Sequence, residues 1–179
     1  MEKIIHIPGF NLRVTRKLIV DLSMHFFLTL FLSVFMFCYT RNILLTFLVF
    51  TGGVLIDTDH FIDYFLHLDK WDIHSFLHGH FVASRKLYLI FHGWEIVLIF
   101  AVLSLKWFLF FPLALGMAGH LTIDTLMHAR RSPFSYFILF RWYHRFSFDK
   151  INYYSFEKQM KNLKKAGLLD KDQKTEENE

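Results

Sequence analysis

The sequence predicts an all-α membrane protein: a polytopic bundle of about four transmembrane helices followed by an amphipathic C-terminal segment. Two long stretches lead there. Over residues 24–56 the only formally charged side chain is Arg41, and over 87–123 only Glu95 and Lys106 interrupt the apolar run. That is the hydropathy signature of membrane spans rather than of a soluble core. The third observation is that histidines and carboxylates recur where these apolar runs begin or end.

Residues 1–23 mix charge with apolar positions and read as an interfacial lead-in. Four apolar windows follow, at 24–40, 43–56, 87–105 and 107–128, each separated from the next by a charged or turn-forming point. The first lacks a small-residue cleavage site before Tyr39, Thr40 and Arg41, so it reads as a retained helix. The second is short against the roughly 20 apolar residues a span requires. It is therefore expected to extend through its polar end, 57–64, and to sit inside the bundle. Residues 134–148 are strongly aromatic, with Arg141, His144 and Arg145 among them, a composition suited to headgroup depth and to packing across one mouth of the bundle. Trp142 and Tyr143 read as interfacial anchors, and the two arginines stay outside the predicted site. Over 149–166, Ile151, Tyr154, Phe156, Met160 and Leu163 among lysines suggest an amphipathic helix, ended by Gly167. The chain thus divides into a bundle over 1–130, an interfacial and amphipathic segment over 131–169, and a charged tail over 170–179.

Charge sets the expected orientation. Lys3, Arg13, Arg16 and Lys17 precede the first window, Lys70, Arg85 and Lys86 lie in the middle connection, and basic residues recur from Arg130 to Lys165, whereas the opposite side carries only Arg41 and Lys106. With an even number of spans, both termini are cytoplasmic by the positive-inside rule. The net charge of +4 is then a matter of topology, and no nucleic-acid partner is expected. The single cysteine, Cys38, excludes an intramolecular disulfide and reads as a packing residue.

The polar residues at the window ends carry the chemistry. His25 opens the first helix, Asp57-Thr58-Asp59-His60 closes the second, His92 and Glu95 open the third, and His120, Asp124 and His128 close the fourth. All of these ends face one side, so an antiparallel bundle brings them to a common depth. Residues four apart on a helix differ by about 40° in azimuth and those three apart by about 60°, so His120 with Asp124, His92 with Glu95, and His60 with Asp63 each share a face. So many ionisable groups within a bilayer are costly unless they pair or hold cations. Mixed imidazole and carboxylate donors without thiolates suit a divalent metal, zinc first, with manganese or iron as alternatives. The donors outnumber what one ion needs, so one or two ions are expected. Such a site can neutralise a phosphate ester and supply a hydroxide nucleophile, with Asp57 or Glu95 as base.

Gly53 to His60, reading Gly-Val-Leu-Ile-Asp-Thr-Asp-His, together with Gly119-His120-Leu-Thr-Ile-Asp124, resembles the membrane-bound metal-dependent hydrolase family over roughly residues 20–130. That family comprises small four-helix inner-membrane proteins with a ligand pattern similar to zinc-dependent phospholipase C. The resemblance implies a bacterial inner-membrane location and the ligands His25, Asp57, Asp59, His60, His120 and Asp124. The chain departs from the family in one segment, commonly His-Arg-Gly-x-Thr-His-Ser, whose nearest equivalent here is His92-Gly93-Trp94-Glu95, with His74, His78 and His80 upstream as second-rank candidates. His92 and Glu95 complete the predicted ligand set.

Each residue also has a plainer reading: His25 as an interfacial histidine, Asp57 and Asp59 as a solvated turn, His120 with Asp124 as a structural hydrogen-bonded pair, and His128 as a boundary residue. Among functions, a hydrolase acting on a phosphate ester such as a lipid headgroup leads, with membrane lipid as the expected partner. An ion transporter using the same side chains is the main rival, because Gly52-Gly53 and Pro112 are potential helix interruptions. A non-enzymatic adaptor whose metal only fastens the helices is the third.

Overall fold

The structure, a computed structural model, describes residues 3–7, 10–14, 16–66, 86–127, 132–152, 158 and 161. It opens with a hairpin: β1 (Lys3–Ile7) pairs antiparallel with β2 (Phe10–Val14), Lys3 opposite Val14 and Ile7 opposite Phe10. The helix α1 (Arg16–Thr40) is already under way well before the apolar window begins, because Arg, Lys and Leu are all good helix formers that carry the turn pattern back from Met24. Beyond this hairpin the elements of the described residues are all helices, as the all-α fold class expects.

Arg41 takes a left-handed φ of 53° and Asn42 an extended conformation, which reverses the chain within two residues. The Asn42 side chain accepts the Leu44 and Leu45 amides at 2.9 and 3.3 Å, capping α2 (Ile43–Leu55). A 3-10 turn over Ile56–Thr58 carries α2 straight into α3 (Asp59–Phe65), so the second helical rod runs unbroken from Ile43 to Phe65 and extends through its polar end as expected. It is not enclosed, since Ile43, Leu44, Phe47 and Val54 are exposed. The enclosed helix is α5 (Phe110–Met127), which buries Ala114, Gly116, Met117, His120, Leu121 and Asp124.

The third predicted window is the one most changed. Only α4 (Trp94–Ser104), 11 residues, is helical. It is about 16 Å long at 1.5 Å per residue, against a hydrocarbon thickness of about 30 Å. The run before it is interrupted by Leu89 at φ 41° and by Gly93 in an extended conformation. Among the described residues three helices are therefore long and apolar enough to cross a membrane: Leu18–Thr40, Ile43–Phe65 and Phe110–Met127. Their outward side chains, such as Phe27, Phe31 and Phe35 on α1, form the surface that lipid would cover.

After α5, Ser132 caps a 3-10 turn over Pro133–Tyr136, and two short helices follow, α6 (Ile138–Tyr143) and α7 (Phe148–Ile151). Tyr136 joins Ile56, Val97, Met117 and Leu121 in the core, while Trp142 and Tyr143 stay exposed. The amphipathic helix expected over 149–166 falls largely outside the described residues, as do the tail 170–179 and His74, His78, His80 and His128.

α2 and α5 run parallel. Gly52 abuts Leu113, Gly116 lies against Val49 and Gly53, and His120 reaches the Gly53 carbonyl. Chain leaving the end of α3 must therefore return before α5 can start, and α4 with the 105–109 turn makes that return, packing Phe100 against Phe110. The helices touch through glycine, the small-residue contact that lets backbones approach closely. A Cβ at Gly116 would overlap backbone atoms of Val49 and Gly53, whereas one at Gly119 would meet first the movable Leu32 side chain. Gly116→Ala is thus expected to lower thermal stability in detergent by about 1–3 kcal/mol, and Gly119→Ala to stay within about 1 kcal/mol of wild type. Equal loss in both variants would contradict the backbone-limited crossing.

Candidate metal centre

Three imidazoles are anchored from behind in the same way. On α1, His25 Nδ1 lies 2.9 Å from the Asp21 carbonyl oxygen; on α5, His120 Nδ1 lies 2.8 Å from the Gly53 carbonyl oxygen. In the segment before α4, His92 Nδ1 sits 2.9 and 3.0 Å from the two carboxylate oxygens of Asp59. Carbonyls and ionised carboxylates only accept, so each Nδ1 carries the proton and donates it. Each Nε2 is thereby turned to the opposite side.

All three Nε2 atoms face carboxylate oxygens. His25 Nε2 is 3.3 Å from Asp124 Oδ1, His92 Nε2 is 3.3 Å from Asp57 Oδ1 and 3.6 Å from Asp124 Oδ2, and His120 Nε2 is 3.4 Å from Asp57 Oδ1 and 3.8 Å from Asp124 Oδ2. His60, from the first turn of α3, adds its Nε2 at 3.5 Å from Asp57 Oδ1. In the neutral tautomer these contacts set lone pairs against lone pairs, and His25 Nε2 and His92 Nε2 are buried without a hydrogen-bond partner. Positive charge between them, from a proton or a cation, resolves the conflict. The separations themselves match a coordination shell: two donors each about 2.1 Å from a tetrahedral ion stand about 3.4 Å apart. A carbonyl or carboxylate accepting the proton of the other ring nitrogen is also the usual support of a metal-binding imidazole.

His92 lies ahead of α4, outside the three long helices. Its burial disfavours the imidazolium, yet the facing carboxylates of Asp57, Asp59 and Asp124 outweigh it and push its pKa up to about 10. The carboxylates therefore draw positive charge to His92. Asp57 is the open side of the cluster, its side chain 46% exposed where that of Asp124 is 8%.

The structure thus brings together His25, Asp57, His60, His92, His120 and Asp124, from four separate stretches of chain. The i, i+4 pair His120 and Asp124 converges as its helical spacing predicts. Two predicted ligands take other positions. Asp59 stands behind His92 and also accepts the Phe91 and His92 amides at 2.8 and 3.2 Å, so its oxygens are engaged in positioning. Glu95 is not in the cluster: its carboxylate oxygens accept the Ile138 and Leu139 amides at 2.9 and 3.0 Å and cap α6. The expected His92–Glu95 helical pair does not form because His92 precedes the helix, whose N-cap is Gly93. Asp63 likewise does not pair with His60; it accepts the Tyr88 and Leu89 amides at 3.0 and 3.3 Å.

Arg141 belongs to the centre although its sequence surroundings suggest only an interfacial cation. It is 1% exposed, and its guanidinium donates to the Leu89 and His92 carbonyls at 2.7 and 3.0 Å. The i, i+4 spacing of Asp59 and Asp63 on α3 is a signal that both would meet one partner; no local signal marks Arg141.

No family model matches the chain, and neither a curated protein nor a solved structure matches it.

Arg141→Met removes one donor from each of two buried carbonyls, that of Leu89 keeping the His92 amide, and a loss of about 1–3 kcal/mol in thermal stability is expected, partly restored in Arg141→Lys. Glu95→Gln, by contrast, is expected to retain the full metal content of the wild type. A metal loss in Glu95→Gln as large as in His120→Ala would return Glu95 to the ligand set.

Proposed function

We propose that this chain is an integral membrane metal-dependent hydrolase whose substrate is a phosphate ester, such as that of a lipid headgroup. The observation that carries the reading is the common orientation of His25, His92 and His120. Each is tied at Nδ1 to an acceptor, with Nε2 turned to the carboxylates of Asp57 and Asp124 at donor–donor separations suited to a divalent cation. Zinc, manganese and iron all accept such a donor set. A divalent ion there would polarise a phosphoryl oxygen and acidify a bound water.

The chain's own contributions follow from the geometry. His25, His92 and His120 would hold the cation through Nε2, and Asp124 through its carboxylate. Asp57, the more exposed carboxylate, turns Oδ1 to the imidazoles and would take a proton from an attacking water through Oδ2. The apolar surface of α2 and α3 beside it, including Val54, Leu55 and Phe61, is exposed and suits a substrate that arrives from the bilayer. The resemblance of Gly53–His60 and Gly119–Asp124 to the membrane-bound metal-dependent hydrolases supports the same reading. In its full form it has α4 as a fourth, short crossing, both termini on the cytoplasmic face of a bacterial inner membrane, and the site at that face. The transporter alternative drew on helix interruptions, but Gly52-Gly53 serves close packing within α2, and Pro112 sits in the first turn of α5, where it breaks nothing.

Elemental analysis of the protein purified in detergent is the test. Bound zinc or manganese is expected in the wild type and its loss in His120→Ala and Asp124→Ala, with phosphate-ester hydrolysis at least about 100-fold slower in Asp57→Asn. A folded wild type that stays metal-free after reconstitution would sink the proposal.

A further inference from the structure

We infer that the cluster is two adjacent cation positions that share their carboxylates, a dinuclear centre rather than a single ion; this deepens the metal reading above and rests on it. The donors sort into two triads, His25 with His120 and Asp124, and Asp57 with His60 and His92, each with one ligand atom per residue within 4.8 Å of the others. The terminal imidazoles lie at opposite ends. His25 Nε2 stands against Asp124 and His60 Nε2 against Asp57. A single ion would leave one of these two without a metal to bind.

Contacts between the triads run through the carboxylates. Asp57 Oδ1, from one triad, is 3.4 Å from His120 Nε2 of the other, and Asp124 Oδ2 is 3.6 Å from His92 Nε2. Asp124 also divides its oxygens, Oδ1 toward His25 and Oδ2 toward His92 and His120, which is the stance of a carboxylate bridging two ions. The His92 and His120 rings, one from each triad, have centroids 5.3 Å apart. These spacings suit two ions about 3.5–4 Å apart, the arrangement that clamps both the attacking and the leaving oxygen of a phosphoryl transfer. The cation class is a divalent first-row metal with affinity for imidazole. His92 Nε2, buried at 1% exposure and without a hydrogen-bond partner, is aimed between Asp57 and Asp124.

The full chain, stripped with chelator in detergent and titrated with manganese(II), decides this by stoichiometry and by electron paramagnetic resonance. The expected result is two equivalents per wild-type chain with an exchange-coupled spectrum. His25→Ala and His60→Ala should each keep one equivalent and show the six-line spectrum of an isolated ion. One equivalent in the wild type with an isolated-ion spectrum overturns the dinuclear inference while leaving the metal reading standing. No manganese in folded wild type overturns both. If either variant fails to elute as folded protein on size exclusion, the wild-type titration and spectrum decide alone.

Discussion

Everything at the site depends on how closely α2 and α5 approach. Gly116 has no Cβ to set against Val49 and Gly53, and Gly52 has none to set against Leu113, so the two backbones meet directly. Only at that separation can the Gly53 carbonyl accept His120 Nδ1, which both orients the imidazole and satisfies a buried acceptor. α1 is drawn in by the neighbouring Gly53, since Thr29 occupies the space a Cβ there would fill. His25, one turn from Thr29, then reaches Asp124. A packing constraint among uncharged residues therefore sets the geometry of a charged cluster.

The segment from Tyr88 to His92 is positioned by a different device. It lacks helical or sheet pairing of its own, and charged side chains take over the backbone's hydrogen bonding: Asp63 and Asp59 accept its amides, and Arg141 donates to its carbonyls. Charge-assisted hydrogen bonds are shorter and stronger than neutral ones, which suits a non-regular strand that must hold a ligand in place. The left-handed Leu89 is part of the same arrangement. Glu95, one turn into α4, fastens α6 to this assembly and so carries Arg141 to its place. Carboxylates that look like ligands by type thus frame His92, whose Nε2 is turned to Asp57 and Asp124.

The cluster also explains why the second and fourth helical windows end in polar residues within apolar surroundings. Carboxylates and imidazoles there are expensive unless each satisfies another. Here His25, His92 and His120 each satisfy an acceptor at one nitrogen and present the other to a carboxylate. Asp57 is the more exposed of the two carboxylates that face the imidazoles, on the side of α2 and α3.

Much of this was legible in the chain. Apolar runs reveal three long helices because lipid-facing surface must be apolar over its whole length, and the continuation of the second helix through Asp57 to Phe65 follows from the same length requirement. The convergence of His25, Asp57, His60, His120 and Asp124 could be read from their places at helix ends, and the His120–Asp124 pair from its period. The N-terminal hairpin, the shortness of α4, and the separate duties of Asp59, Glu95 and Arg141 could not. Type and spacing tell which side chains can reach a common depth, because helical periodicity is local. Which nitrogen is tied back, which carboxylate caps a neighbouring helix and which arginine is buried depend on contacts between residues up to 67 positions apart, and only the packing of the helices decides those.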